Sequence, residues 1–282
     1  MSRAYELWNK TPVCTASLIV INTVIHCIIF LTSYNYSSLA IHPQSVVLGH
    51  EYYRIITSNF VHGGIFHIGM NMMSLHQIGM NLEAQFGSLQ LMVATLWMAP
   101  LCGILYIILS LLLHSNTPAV GFSAVLFAYA SLESYHTTAT TRSLYCLSIP
   151  AKLYPWALLL IIQVMLPNVS FIGHLAGILV GMMIVSGTLS CLLPSSDCYL
   201  YLQSLSSLSS LTHLPNYIPC NDSSFATASP REREGEGEDE EERERLNKNQ
   251  QSSVAAIKNE EQKERSGEKQ RGSEASTTCV IQ

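Results

Sequence analysis

Few residues in this 282-residue chain are placed to do chemistry, and the first is Ser123, in the stretch Gly121-Phe122-Ser123-Ala124-Val125-Leu126-Phe127-Ala128. Its hydroxyl stands two residues after a glycine, near the start of an apolar run too long to be a core strand. A serine hydroxyl is a poor nucleophile at neutral pH unless a base takes its proton. Ser123 therefore needs a partner from another element and a cavity that water can reach. His174 is the candidate base. It lies near the start of a second apolar run, Gly173-His174-Leu175-Ala176-Gly177, which continues to Gly181. Glycines four residues apart let two membrane helices touch backbone to backbone, which would hold His174 within hydrogen-bond reach of Ser123. A third cluster, His67-Ile68-Gly69-Met70-Asn71, puts a histidine and an amide at i and i+4. Both then lie on one helical face and can donate hydrogen bonds to a developing oxyanion.

Two other hydrolytic chemistries are excluded. His50-Glu51 opens like a zinc H-E-x-x-H site, but Arg54 stands where the second histidine is needed. A paired-aspartate site needs two aspartates inside the apolar runs, whereas Asp197, Asp222 and Asp239 all lie at or beyond the end of the last one. No metal, cofactor or nucleic-acid partner is expected.

The elements that must position these groups are membrane helices, which need roughly 20 mostly apolar residues each. Six segments qualify: 13–33, 65–82, 89–113, 119–135, 153–166 and 171–193. The first carries Asn22 and His26 and lacks a small-residue cleavage site, so it reads as a retained helix. The fifth is short and flanked by Pro150, Pro155 and Pro167. Between the first and second lies a connection of a length that usually has structure of its own. Arg3 and Lys10 precede the first segment, Arg142 and Lys152 separate the fourth from the fifth, and ten of the 15 basic residues follow residue 200. Placing these groups in the cytosol obeys the positive-inside tendency and puts both termini there. The second, fourth and sixth segments then all start at the opposite face, with His67, Ser123 and His174 at similar depth. For a helix starting at Ala119, Ser123 lies about 6 Å below the helix start. Polar groups inside a membrane normally face the protein interior or a wet cavity.

The expected division is a short cytosolic N-terminus over 1–12, a six-helix membrane domain over 13–194, a Ser/Leu-rich linker over 195–230 and a charged tail over 231–282. Residues 1–200 balance in charge, so the net charge of −5 belongs to Asp222 and the tail, the latter expected to be disordered in isolation. Residues 240–246, with Ser253 beyond, are similar to a ubiquitin-interacting helix, although Asn249 stands where a central alanine belongs; the plainer reading is a solvated charge run. The final Cys279-Val280-Ile281-Gln282 matches the C-a-a-X signal, with Cys279 as the farnesyl acceptor. The eight cysteines form no C-x-x-C pair and no compact framework.

Taken together, His62-Gly63-Gly64, His67-x-x-x-Asn71, Leu82-Glu83-x-x-x-Gly87-Ser88, Gly121-x-Ser123 and Gly173-His174-x-x-Gly177-x-x-x-Gly181 resemble the motifs of the rhomboid family of intramembrane serine proteases. The resemblance covers roughly residues 12–194. It implies an all-α membrane protein, a six-transmembrane-helix bundle, with Ser123 as nucleophile and His174 as general base in a dyad without an acidic third member. It further implies an oxyanion site from the Ser123 N–H, His67 and Asn71, and helix packing at Gly121, Gly173, Gly177 and Gly181. Expected partners are transmembrane protein substrates and the lipid bilayer, with ubiquitin or quality-control factors at the tail. The wording around Ser123 is similar to a branch associated with the endoplasmic reticulum. Two departures from the family pattern stand out: Tyr53-Arg54 replaces Trp-Arg, and Phe127 replaces a tyrosine one turn after the serine. Phe127 can still stack on the His174 ring. The alternative is a client-binding member such as a rhomboid-like pseudoprotease or derlin, which keeps the fold without the catalytic pair.

Overall fold

The computed structural model describes residues 10–144 and 147–225. Cys279 and residues 240–246 lie outside the described residues.

Each of the six apolar segments contains a helix. These are α1 (Val13–Thr32), α4 (Ile65–Phe86), α5 (Ser88–Leu112), α6 (Ser123–His136), α7 (Tyr154–Met165) and α8 (Phe171–Val185); α2 (Pro43–Val47) and α3 (Arg54–Phe60) lie in the long connection after α1. Among the described residues, α1 and α5 are long and apolar enough to cross a membrane. The remaining four fall short of that test: α4 carries His67, Asn71, His76, Gln77, Asn81 and Glu83, while α6 to α8 have 12 to 15 residues, or roughly 18–23 Å at about 1.5 Å per residue. The boundaries also differ from expectation. The fourth helix starts at Ser123 rather than Ala119, because Ala119 pairs with Ile41 in an isolated bridge and Gly121 takes φ +116°. The sixth ends at Val185 rather than Leu193.

Helix α6 is the centre of the bundle: every residue from Val125 to Ser134 is buried. Its closest neighbour is α8. A Cβ on Gly177 would lie 2.0 Å from the Ala124 carbonyl oxygen, and one on Gly181 would lie 2.6 Å from that of Ala128. The two contacts advance together, four residues on each helix, so α6 and α8 run parallel in fixed register. One turn before Gly177 stands His174, and one residue before Ala124 stands Ser123. Close approach at the glycines thus sets the pair side by side.

The opposite end of the bundle is built on Glu83, which is fully buried. Its carboxylate accepts from Cys14 N–H, Thr15 N–H and Thr15 Oγ, each at 2.7 Å, and from Ser88 Oγ at 2.6 Å. Pro12, the N-cap of α1, offers no side-chain acceptor, so a carboxylate from α4 caps the unsatisfied amides of α1 and meets the positive end of its dipole.

The 195–230 stretch, expected as a linker, is packed where it is described. Helix α9 (Ser196–Ser204) and a short α10 (Ser209–Thr212) lead to residues 216–225, which return across the bundle. Asn216 O accepts from Val13 N–H at 3.2 Å, and Ile218 exchanges hydrogen bonds with Ser88 at 2.8 and 2.9 Å. Phe225, 3% exposed, stacks on Phe86 at 4.3 Å. Its apolar anchors are few and widely spaced, and the Ser/Leu-rich composition hides them. The all-α expectation also needs one correction, because strands β1 (Thr141–Leu144) and β2 (Leu147–Pro150) form an antiparallel hairpin between α6 and α7.

The connection between α1 and α4 has structure of its own, organised by Arg54. Its guanidinium donates to Ser37 O at 2.9 Å and Ala40 O at 2.8 Å and pairs with Glu51.

Candidate active site

Ser123 is the first residue of α6, with no part of the helix above it, which corrects the expected position one turn in. The segment before it is pinned to the long connection. Ala119 and Ile41 exchange two 3.0 Å hydrogen bonds, Gly121 N–H donates to Ser58 O at 2.8 Å, and Phe122 N–H donates to His62 Nε2 at 3.4 Å. His67 and His174 are the third and fourth residues of α4 and α8, so all three groups stand at helix starts on one side of the bundle.

His174 Nε2 lies 3.0 Å from Ser123 Oγ. The imidazole is buried and stacks on Phe127, with centroids 4.5 Å apart and planes 29° apart. Nδ1 of His174 is buried without a hydrogen-bond partner. The neutral tautomer with its proton on Nδ1 is the one that leaves the Nε2 lone pair to accept from the serine hydroxyl. Glu133 is engaged elsewhere: it accepts from Asn81 Nδ2 at 2.7 Å and pairs with Arg142 at 2.6 Å.

His67 Nδ1 accepts from Gly63 N–H at 3.4 Å, so Nε2 carries the proton. A Cβ on Gly121 would lie 2.7 Å from that Nε2. The glycine therefore lets the backbone turn at positive φ and lets the His67 ring reach the start of α6. The first turn of α6 leaves the Ser123 and Ala124 amides without an intrahelical acceptor.

Asn71 does not join them. Its Nδ2 donates to His67 O of its own helix at 2.8 Å, its Oδ1 is buried without a partner, and it does not line the cavity described below. The i, i+4 spacing places both side chains on one face, but the nearby carbonyl competes for the amide. Gly173 N–H donates to the capping Ser170 Oγ at 3.1 Å, and a Cβ there would lie 3.9 Å from Tyr106 Cδ2 of α5. Of the four expected packing glycines, Gly177 and Gly181 make helix contacts and Gly121 makes a turn.

Ser123, His67 and His174 line a cavity of about 410 Å³, together with Ser58, Asn59 and Ser170. Asn59 is buried and donates to Ile55 O and Ala99 O; nothing in its sequence context marks it. His62, 1% exposed, was visible only as part of a histidine-glycine-glycine turn, with no role attached. The zinc-like pair is committed locally, Glu51 to Arg54 and His50 Nδ1 to Tyr52 OH at 3.0 Å.

The profile of the Rhomboid domain matches residues 49–190, a range that holds His67, Ser123 and His174. Similar proteins include Rhomboid-like protein 15 of Arabidopsis thaliana, 34% identical over 239 residues, 79% of this chain and 59% of that one. Rhomboid-like protein 14, mitochondrial, of the same plant is 36% identical over 194 residues, 63% of this chain and 56% of its own. Rhomboid-type serine protease 2 of Neurospora crassa is 32% identical over 181 residues, 61% and 63% of the two chains. The chain thus spans 56–63% of the length of these three relatives. With a domain profile covering half its length and a site of this geometry inside the matched range, the chain belongs to the rhomboid family.

Proposed function

We propose that this chain is an intramembrane serine endopeptidase with Ser123 as nucleophile and His174 as general base. The 3.0 Å contact between Ser123 Oγ and His174 Nε2 at a cavity wall carries the reading. In the first step the Ser123 oxygen attacks the scissile carbonyl carbon while its proton passes to His174 Nε2. The carbonyl oxygen takes the negative charge and accepts from the Ser123 N–H at the start of α6 and from His67 Nε2–H, both fixed before the substrate arrives. Collapse expels the amine, which takes the proton from His174, and leaves an acyl-Ser123 ester. Water, deprotonated by His174, then releases the acid and restores the serine.

Phe127 holds the imidazole plane by stacking, the task an acidic third member performs in a triad. The substrates are transmembrane proteins, because the nucleophile is carried by a helix packed among apolar helices. All six apolar segments cross the bilayer in this proposal, both termini face the cytosol and the compartment is an endomembrane such as the endoplasmic reticulum, on the basic-residue and wording arguments above.

The test is fluorophosphonate labelling of the detergent-purified protein, with the adduct mapped by peptide mass, alongside cleavage of a co-expressed type I membrane protein. Label on Ser123, lost in Ser123→Ala together with cleavage, supports the protease. Cleavage by Ser123→Ala at the wild-type level overturns it and favours a client-binding role.

A further inference from the structure

The segment that presents Ser123 is held from one side by the stretch just before α4. Gly121 N–H donates to Ser58 O, Phe122 N–H donates to His62 Nε2, and the Phe60 and Phe122 rings lie 6.0 Å apart. His62 is the one member of this set that touches both halves of the site. Its ring meets His67 edge-on at 5.2 Å and is backed by His26 of α1 at 6.4 Å. Because Nε2 accepts from an amide, it carries no proton and the Nδ1 tautomer is selected.

Phe122 has φ −72° and ψ −3°, and its ψ orients the next peptide plane, the one that contains the Ser123 N–H. Anchoring the Phe122 amide therefore aims the oxyanion donor. The same ring, pressed against His67, limits how far the second donor can tilt.

We propose that His62 is a positioning residue for catalysis: one buried imidazole sets the Ser123 amide and the His67 ring at the same time. The proposal rests on the protease reading. Its predicted mark is on kcat, since the aimed groups act on charge that exists only in the transition state. A misplacement of such groups by about 1 Å costs on the order of 100-fold, so a loss of about 10- to 100-fold is expected.

The experiment compares His62→Gln, His62→Phe and His62→Ala in the full chain. Glutamine can place its Oε1 where Nε2 stood and so keeps an acceptor for Phe122 N–H. Phenylalanine keeps the ring but removes the acceptor. Expected results are kcat within about threefold of wild type for His62→Gln and a fall of about 10- to 100-fold for His62→Phe, with KM within about threefold in both. The rate of fluorophosphonate labelling at Ser123 should fall in parallel with kcat, while thermal unfolding of the phenylalanine variant stays close to that of the glutamine variant. Equal kcat for glutamine and phenylalanine overturns the proposal, as does a change confined to KM. A His62→Ala protein that fails to fold leaves the glutamine–phenylalanine contrast to decide. If wild type is not labelled at Ser123, the protease reading itself fails; if wild type labels and the His62 variants do not differ, only the positioning role does.

Discussion

The two ends of the helix bundle treat their buried polar groups differently. At the Glu83 end, one carboxylate collects four donors from α1 and α5, and the returning 216–225 segment adds hydrogen bonds to Val13 and Ser88. At the Ser123 end, His174 Nδ1 and Asn71 Oδ1 are buried without partners, and a cavity of about 410 Å³ replaces packing. Glu83, with its four donors, makes a clamp of the helices it joins, although the same end also holds a cavity of about 430 Å³ and, at Gln90 and Tyr199, buried polar atoms without partners. At the other end it is the cavity lined by Ser123, His67 and His174 that stands beside an unpartnered atom, His174 Nδ1. Stability and chemistry are thus separated along the length of the same helices, and substitutions at the two ends should fail in different ways.

The sharpest break is Ser123→Ala, which should take cleavage to background while leaving thermal unfolding unchanged, because the hydroxyl contributes one hydrogen bond beside a cavity. A large loss of stability in this variant would mean that the site is part of the clamp. Glu83→Ala should do the reverse. It strands the Cys14 and Thr15 amides and the Ser88 hydroxyl, and each buried unpaired group costs about 1–3 kcal/mol. A loss of roughly 3 kcal/mol or more in unfolding free energy is expected, with cleavage per folded molecule little changed. Unfolding measured in mild detergent together with labelling per folded molecule separates the two.

Gly177→Ala connects the ends through the α6–α8 seam. The added methyl meets Ala124 O at 2.0 Å, so the helices must part, at about 1–3 kcal/mol for overpacking. Ser123 and His174 separate with them, and the labelling rate should drop more than stability does. Labelling that holds while stability falls would show that the register of the pair is set elsewhere. The smallest effect is expected from Asn71→Ala. With Nδ2 turned onto His67 O, its loss should lower kcat by less than about tenfold, against the 100- to 1,000-fold typical of a working oxyanion donor. A fall in the larger range would show that the side chain rotates to the oxyanion during catalysis.

Much of this was readable from residue types and spacing, and the reasons are local. The apolar segments read as helices because backbone groups away from water must bond within their own segment, and each does contain one. The pairing of Ser123 with His174 was legible because glycines at 177 and 181 admit a close helix neighbour. That inference needed no knowledge of which helix it was. The stacking of Phe127 on His174 was expected from the resemblance, which places an aromatic one turn after the serine.

Other features were decided only by contacts between residues far apart in the chain. Whether α6 begins at Ala119 or Ser123 depends on Ile41 and Ser58 taking the hydrogen bonds of residues 119 and 121, some 60 to 80 positions away. Asn71 turned from the cavity because a carbonyl in its own helix outcompeted it, which spacing on a helical face does not register. Glu83 stood in the Leu82-Glu83-x-x-x-Gly87-Ser88 motif with no partner named until α1 supplied two amides with no other cap. The 216–225 segment looked like linker because its anchors, Asn216, Ile218 and Phe225, are meaningful only against Val13, Ser88 and Phe86. The sequence determines which segments can exist as helices and which side chains carry reactivity, since both follow from short-range sterics and intrinsic chemistry. Which buried donor meets which acceptor is a competition among groups brought together by folding, and only the tertiary structure resolves it.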